Sequence, residues 1–77
     1  MSENNILVKA FADLTALIPA ESTVPVHDGD TVAAVLARLG LPENKAAIIF
    51  INNRHAELDT LLAPGDRLSI FPPLGGG

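Results

Sequence analysis

Few side chains in this sequence could do chemistry by themselves. His27 lies beside Asp28 and Asp30, and three such groups could hold a metal ion, although polar residues in a turn before a helix more often form its cap. His55 follows two asparagines and is expected on a hairpin turn, in solvent or in a partner interface. The sequence has no cysteine, and no serine has a nearby histidine or the glycines of a nucleophile elbow. These residues therefore predict no metal site, no bound cofactor and no catalysis by the chain alone.

The C-terminal stretch FPPLGGG, residues 71–77, is the most distinctive chemical feature. Pro72 and Pro73 favour an extended exit from the preceding strand, and glycines can pass through a channel too narrow for other residues. From Pro72 to Gly77 the chain can reach about 20 Å at roughly 3.3 Å per residue. A terminal carboxylate has a pKa of about 3.3 to 3.7, so it is ionised and would need activation by ATP. Either this carboxylate acts in another protein's active site, or the tail is inert.

The elements that would position this tail can be predicted from periodicity. ILVKAF indicates a central strand with apolar groups on both faces, and ESTVPV an edge strand because of its proline. DTVAAVLARLG predicts one amphipathic helix, capped by Asp30 or Thr31 and ended by Gly40. AAIIFINN predicts a strand that ends in an Asn52-Asn53 turn, AELDTLLAPGD a loop, and RLSIF the last strand. The pattern predicts an α+β protein in which one main helix covers one face of a mixed sheet.

Length and charge exclude several classes of function. A chain of 77 residues fits one domain, 1–77, with residues 72–77 as its tail. The net charge is −4, and the five basic residues are scattered, so nucleic acid is not an expected partner. No apolar run approaches the roughly 20 residues that span a bilayer, and the lack of cysteine fits the cytoplasm. We expect a cytoplasmic protein that binds neither nucleic acid nor membranes.

Several stretches in this order resemble a known family. They are VKAFADL, DGDTVAAVLARLG, INN and PGDRLSIFPP, followed by terminal glycines, and together they span nearly the whole chain. The sequence is similar to the ubiquitin-like sulfur carriers of the β-grasp fold, the MoaD/ThiS-like proteins, and most of all to the small subunit of molybdopterin synthase. The resemblance implies a β-grasp (ubiquitin-like) fold with a flexible C-terminal Gly-Gly tail. It also implies that the first and last strands are parallel neighbours in the middle of the sheet.

The resemblance implies a function as a sulfur-donating cosubstrate that is not catalytic alone. A ubiquitin-activating-type adenylyltransferase would use ATP to adenylate the terminal glycine, which sulfur transfer would convert to a thiocarboxylate. The large subunit of molybdopterin synthase, or an equivalent acceptor enzyme, would then take the sulfur for molybdenum cofactor biosynthesis. The alternatives are a carrier for thiamine or another sulfur-containing metabolite, a ubiquitin-like modifier of target lysines, or an interaction domain with an inert tail.

Eight residues are carried over as site residues. Gly77 is expected to bear the adenylate and then the thiocarboxylate, with Gly76 as its reactive neighbour. If the first and last strands are neighbours, Phe11 and Phe71 form an exposed aromatic patch on the sheet face away from the helix; the alternative places both in the core. The patch and the tail segment would together bind partners, and that segment comprises Pro72, Pro73, Leu74 and Gly75. The triple glycine created by Gly75 is typical of the thiamine branch, whereas Phe-Pro-Pro is typical of the molybdopterin branch.

Overall fold

The computed structural model describes residues 4–73, which form one mixed sheet and one α-helix. Two short 3-10 helices, Ala12–Ala16 and Glu43–Lys45, lie in the connections after β1 and after the α-helix. The main elements are β1 (Asn5–Ala10), β2 (Glu21–Pro25), α1 (Val32–Leu39), β3 (Ile48–Ile51), β4 (Arg54–Ala56) and β5 (Arg67–Phe71).

The strands are arranged in the order β2-β1-β5-β3-β4. The central pair, β1 and β5, is parallel, with Leu7 opposite Arg67 and Ala10 opposite Ile70, whereas the other three pairs are antiparallel. This confirms the parallel central pair that the resemblance implied. β2 lies at one edge as predicted, where the missing N–H of Pro25 leaves no donor for a further strand.

The single α-helix has the predicted boundaries because both of its ends are encoded locally. Thr31 caps the start, and its hydroxyl oxygen accepts a hydrogen bond from the Ala34 amide at 3.2 Å. Gly40 ends the helix with a φ of 77°, a left-handed conformation that favours glycine. The apolar stripe of α1 covers one face of the sheet, and Val35 and Leu36 are fully buried.

The core lies between α1 and the covered face of the sheet. Because side chains alternate along a strand, every second residue of β1 and of β5 points into it. The other face of the same two strands is left uncovered by α1. The largest fully buried side chains are Ile6, Val8, Leu14, Val32, Val35, Leu36, Leu68 and Ile70.

The segment after Asn53 differs from the sequence-based prediction. Asn52 and Asn53 form the predicted tight turn with φ values of 54° and 69°. This turn, however, returns the chain directly onto β3, and Arg54–Ala56 pairs with it as β4, with Phe50 opposite His55. The prediction that His55 lies on the hairpin turn is therefore wrong, and the sheet has a fifth strand. The three residues of β4 have low strand propensity and gave no strand pattern of their own.

Candidate functional site

The structure locates four of the eight predicted site residues. These four end the two central strands or follow them directly, and they are Phe11, Phe71, Pro72 and Pro73. The other four lie outside the described residues: Leu74, Gly75, Gly76 and Gly77. The functions assigned to all eight stay predictions, but the geometry around the first four can be described.

Phe11 and Phe71 form a stacked pair on the sheet face turned away from α1. Their ring centroids are 4.4 Å apart and the ring planes differ by 7°. The rings meet because β1 and β5 are parallel neighbours, and the pairing continues past β1, where the Phe11 amide donates a hydrogen bond to the Ile70 carbonyl at 3.2 Å. Phe11 is 38% exposed and Phe71 is half-buried. Neither is a core residue, so the two rings form a surface feature.

A third aromatic residue, Phe50, extends this pair and was not predicted from the sequence. Its ring meets Phe71 edge-on at 6.0 Å and His55 edge-on at 5.9 Å. Phe50 reaches this face because its β3 position lies opposite Ser69 of β5, which is also turned away from the core. Alternation along IIFI separates Phe50 from the buried Ile49, and this signal could have identified it. We call Phe11, Phe50 and Phe71 the aromatic patch.

The aromatic patch forms the wall of a shallow depression of about 370 Å³. Polar groups complete its lining: Lys9 and Ser69 from the central strands and Asn53 from the turn between β3 and β4. The exposed Ile48 lies opposite Phe71 and adds apolar surface at the margin. Exposed aromatic rings beside polar groups are typical of protein-binding surfaces, in which aromatic residues are enriched.

A second depression of about 490 Å³ lies at the base of the tail. Leu17, which is 55% exposed, and Ala16 contribute apolar surface from the end of the first 3-10 helix. Pro72 and Pro73 also line it, so the last described residues leave the sheet next to an apolar groove. The remaining lining residues are Asp13, Leu14, Asn44 and Lys45.

The polar cluster before α1 has a structural arrangement. Arg38 donates hydrogen bonds to both carboxylate oxygens of Asp30, at 2.9 and 3.2 Å, and the His27 backbone N–H donates to Asp30 at 2.8 Å. The Arg38 bonds and then the His27 bond lower the pKa of Asp30 to about 2. Arg38 also donates to the Pro25 carbonyl at 3.2 Å, so the cluster links α1 to the end of β2. Within residues 4–73, no group of three or more His, Cys, Asp or Glu side chains is placed to hold a metal ion.

The helices in residues 4–73 are also short. None of them is long and apolar enough to cross a membrane.

Several solved structures are similar to this chain over nearly all of its length. SAMP1, the small archaeal modifier protein 1 of Haloferax volcanii, is 27% identical with a TM-score of 0.76, over 95% of this chain and 99% of that chain. A putative molybdopterin converting factor, subunit 1, from Pyrococcus furiosus is 24% identical with a TM-score of 0.73, over 91% and 98%. Urm1 from Trypanosoma brucei is 18% identical with a TM-score of 0.75, over 100% of both chains.

The mixed five-stranded sheet with one covering helix, shared with these neighbours, defines the chain as a β-grasp, ubiquitin-like protein. The family model of the ThiS family matches residues 8–77, which run from the middle of β1 through the rest of the described fold and include the glycines. The chain belongs to the ThiS family of ubiquitin-like sulfur carriers.

Proposed function

We propose that this protein is a sulfur carrier whose C-terminal glycine, Gly77, is adenylated and then converted to a thiocarboxylate. The observation that carries the proposal is the family match, because it runs through the glycines to residue 77. The aromatic patch supports it, since Phe71 ends β5 only two residues before the last described residue. An enzyme that docks on the patch therefore meets the start of the tail.

The proposed chemistry takes place in the active site of an adenylyltransferase of the ubiquitin-activating type. The Gly77 carboxylate attacks the α-phosphate of ATP, which forms an acyl adenylate and releases pyrophosphate. A sulfur nucleophile then forms a C–S bond as the C–O bond to AMP breaks. ATP belongs to the activating enzyme, and the chain itself contributes the carboxylate, the narrow Gly76-Gly77 backbone and the docking surface.

For the destination of the sulfur, we propose molybdopterin synthesis, with the large subunit of molybdopterin synthase as acceptor. The support is the sequence resemblance around Phe71, Pro72 and Pro73. The proposal includes a cytoplasmic location, which the cysteine-free sequence fits. Thiamine synthesis is the alternative, supported by Gly75, which makes a triple glycine.

Intact-mass spectrometry after incubation with an activating enzyme, ATP and a sulfur donor tests the first step. The expected result is a gain equal to the exchange of one oxygen for sulfur, which disappears when ATP is left out or when Gly77 is deleted. A full gain in the Gly77-deleted chain, or none in the wild type, would contradict the proposal. For the pathway, the loaded chain is offered separately to the large subunit of molybdopterin synthase with its precursor and to a thiazole-forming enzyme. Loss of the sulfur mass only to the second enzyme would contradict the molybdopterin assignment.

A second candidate function is a protein modifier joined to lysines of target proteins. The similarity to SAMP1, whose name describes a modifier, favours it. The sequence makes the test specific, because Arg67 is the last tryptic site before the C-terminus. A modified lysine would therefore carry residues 68–77 after trypsin digestion. Target peptides with this remnant would establish modification, whereas sulfur loading without any such peptide would leave the carrier function alone.

A further inference from the structure

A cationic depression lies next to the aromatic patch on the uncovered face of the sheet. It has a volume of about 170 Å³. Three of its lining residues also line the depression walled by the aromatic patch, namely Lys9, Asn53 and Ser69. The two depressions are therefore continuous along these three residues. The cationic depression is lined by Lys9, Asn52, Asn53, Arg67 and Ser69.

Arg67 brings an unpaired cation to this depression. Among residues 4–73, its guanidinium makes no ion pair or hydrogen bond. Its backbone, in contrast, is fixed on both sides by Asn52: the Arg67 amide donates to the Asn52 side-chain oxygen at 3.0 Å, and the Arg67 carbonyl accepts from the Asn52 amide at 2.9 Å. Because the Arg67 backbone is already fixed, an anion that binds its guanidinium causes little further loss of backbone conformational entropy.

The acidic groups nearby leave the depression positive. Glu21 approaches Lys9 at 3.7 Å, but both side chains are well exposed, so this ion pair is weak. The Asp66 carboxylate, next to Arg67 in the chain, accepts hydrogen bonds from the Asn52 side chain and from the Ala63 amide, both at 2.9 Å. Among residues 4–73, no acidic side chain lines either depression.

We propose that the cationic depression binds a carboxylate side chain of the adenylating enzyme, while the aromatic patch takes an adjacent apolar side chain of the same enzyme. This inference rests on the proposed function and adds the chemistry of the partner. The volume of about 170 Å³ is below the roughly 300 to 1,000 Å³ of pockets that hold metabolites, and it suits a single side chain. With a net charge of −4, the chain as a whole repels nucleic acid and acidic membranes. A single carboxylate side chain with an apolar group beside it is therefore complementary to the cationic depression and the adjoining aromatic patch.

Binding of the full chain to the adenylating enzyme from the same cells tests the proposal. In Arg67→Gln, Kd is expected to rise about tenfold, because a hydrogen bond to a charged group is lost, and the salt dependence of binding should become shallower. The matched control is Arg54→Gln. Arg54 is also exposed and unpaired within residues 4–73, but it lies opposite Ile51 on the edge strand β4 and lines neither depression, so Kd should stay within about twofold. Urea unfolding of both variants confirms that they fold alike.

Equal Kd values for Arg67→Gln and Arg54→Gln would overturn the proposal, because net charge alone would then explain any change. Saturable binding of inorganic phosphate, with NMR shifts confined to the amides of Asn53, Arg67 and Ser69, would assign the depression to a small anion and would also overturn it. If the wild type gains sulfur while the two variants bind alike, only this inference fails. If the wild type neither binds nor gains sulfur, the proposed function fails as well.

Discussion

The stack of Phe11 on Phe71 predicts a measurable coupling between the two residues in the free energy of unfolding. Phe71 is half-buried, so truncation to alanine removes about 80 Å² of apolar contact, or about 2 kcal/mol at roughly 25 cal/mol per Å². Phe11 is 38% exposed, and we expect Phe11→Ala to lower the free energy of unfolding by about 1 to 2 kcal/mol. The stacked geometry at 4.4 Å adds about 1 kcal/mol that belongs to the pair, since aromatic pairs contribute about 0.5 to 1.5 kcal/mol beyond their buried area.

Urea unfolding of the wild type, Phe11→Ala, Phe71→Ala and the double variant measures this coupling. At a slope of about 1 kcal/mol per molar urea, Phe71→Ala should lower the midpoint by about 2 M. A domain of this size is stable by about 4 to 12 kcal/mol, so the variant remains mostly folded without urea. The double variant should lose about 1 kcal/mol less than the sum of the single losses.

The control cycle pairs Phe71→Ala with Leu61→Ala. Leu61 is 65% exposed and bridges to Thr31 at the start of α1, on the other side of the sheet, so these two changes should be additive within about 0.5 kcal/mol. A coupling below about 0.3 kcal/mol between Phe11 and Phe71, or an equal one in the control cycle, would refute the stacked pair. In the same variants, sulfur loading is expected to fall even under conditions in which more than about 90% of the chain is folded, as the proposed docking role of the patch requires.

Three further predictions concern the scaffold. Gly40→Ala should cost about 1 kcal/mol in urea unfolding, because alanine is strained at a φ of 77° while an added Cβ would meet no atom of residues 4–73 within 4 Å. Ser22→Ala should raise stability by about 1 kcal/mol, since the Ser22 hydroxyl is buried without a hydrogen-bond partner among residues 4–73. Asp30→Asn should lower stability at neutral pH, and because the folded pKa of Asp30 is depressed to about 2, the difference from the wild type should shrink as the pH falls from about 4 to 2. Thermal unfolding across that pH range measures the last effect.

Each of these predictions has a matched control. Ala12 also has a positive φ, 56°, so Ala12→Gly should not destabilise the protein as Gly40→Ala does. Thr23→Ala, at the exposed neighbour of Ser22, should not be stabilising. Asp28→Asn changes a neighbouring exposed carboxylate that makes no hydrogen bond within residues 4–73, so it should not lower stability at neutral pH as Asp30→Asn does. If a control variant changes stability in the same way as the variant it is paired with, the physical reason given for that prediction is wrong.

The elements that were predicted correctly have local signals. The helix could be bounded from sequence because Thr31 satisfies a free amide at its start and Gly40 takes a conformation that other residues avoid at its end. β4 lacks such a signal, since its three residues are ordered by pairing with β3. The Asn52-Asn53 turn was predicted, and a two-residue turn implies a returning strand, so β4 could have been inferred from the turn.

The residues of the proposed docking surface were predicted only in part, for a related reason. Phe11 and Phe71 were placed together by the expected parallel pairing of β1 and β5, which the structure confirms. Alternation along IIFI and RLSIF gives the faces of Phe50 and Arg67. The place of Phe50 beside Phe71, however, depends on the register between β3 and β5, a relation between distant segments that no local pattern states. Composition made the five basic residues look scattered, but folding brings Lys9 and Arg67 to one depression.

The position of the aromatic patch determines how docking and chemistry would be coupled in the proposed carrier. Phe71 ends β5, and the six residues from Pro72 to Gly77 can span about 20 Å, so an enzyme held on the patch receives the terminal carboxylate on a short tether. On a tether of this length, the terminal carboxylate has an effective concentration in the millimolar range at the active site of the docked enzyme. Without docking, the tail alone would not reach this concentration. Weakening the patch should therefore be overcome by saturating enzyme, because it affects only the docked fraction. A defect in Gly76 should persist at saturation, because it lies at the reacting group.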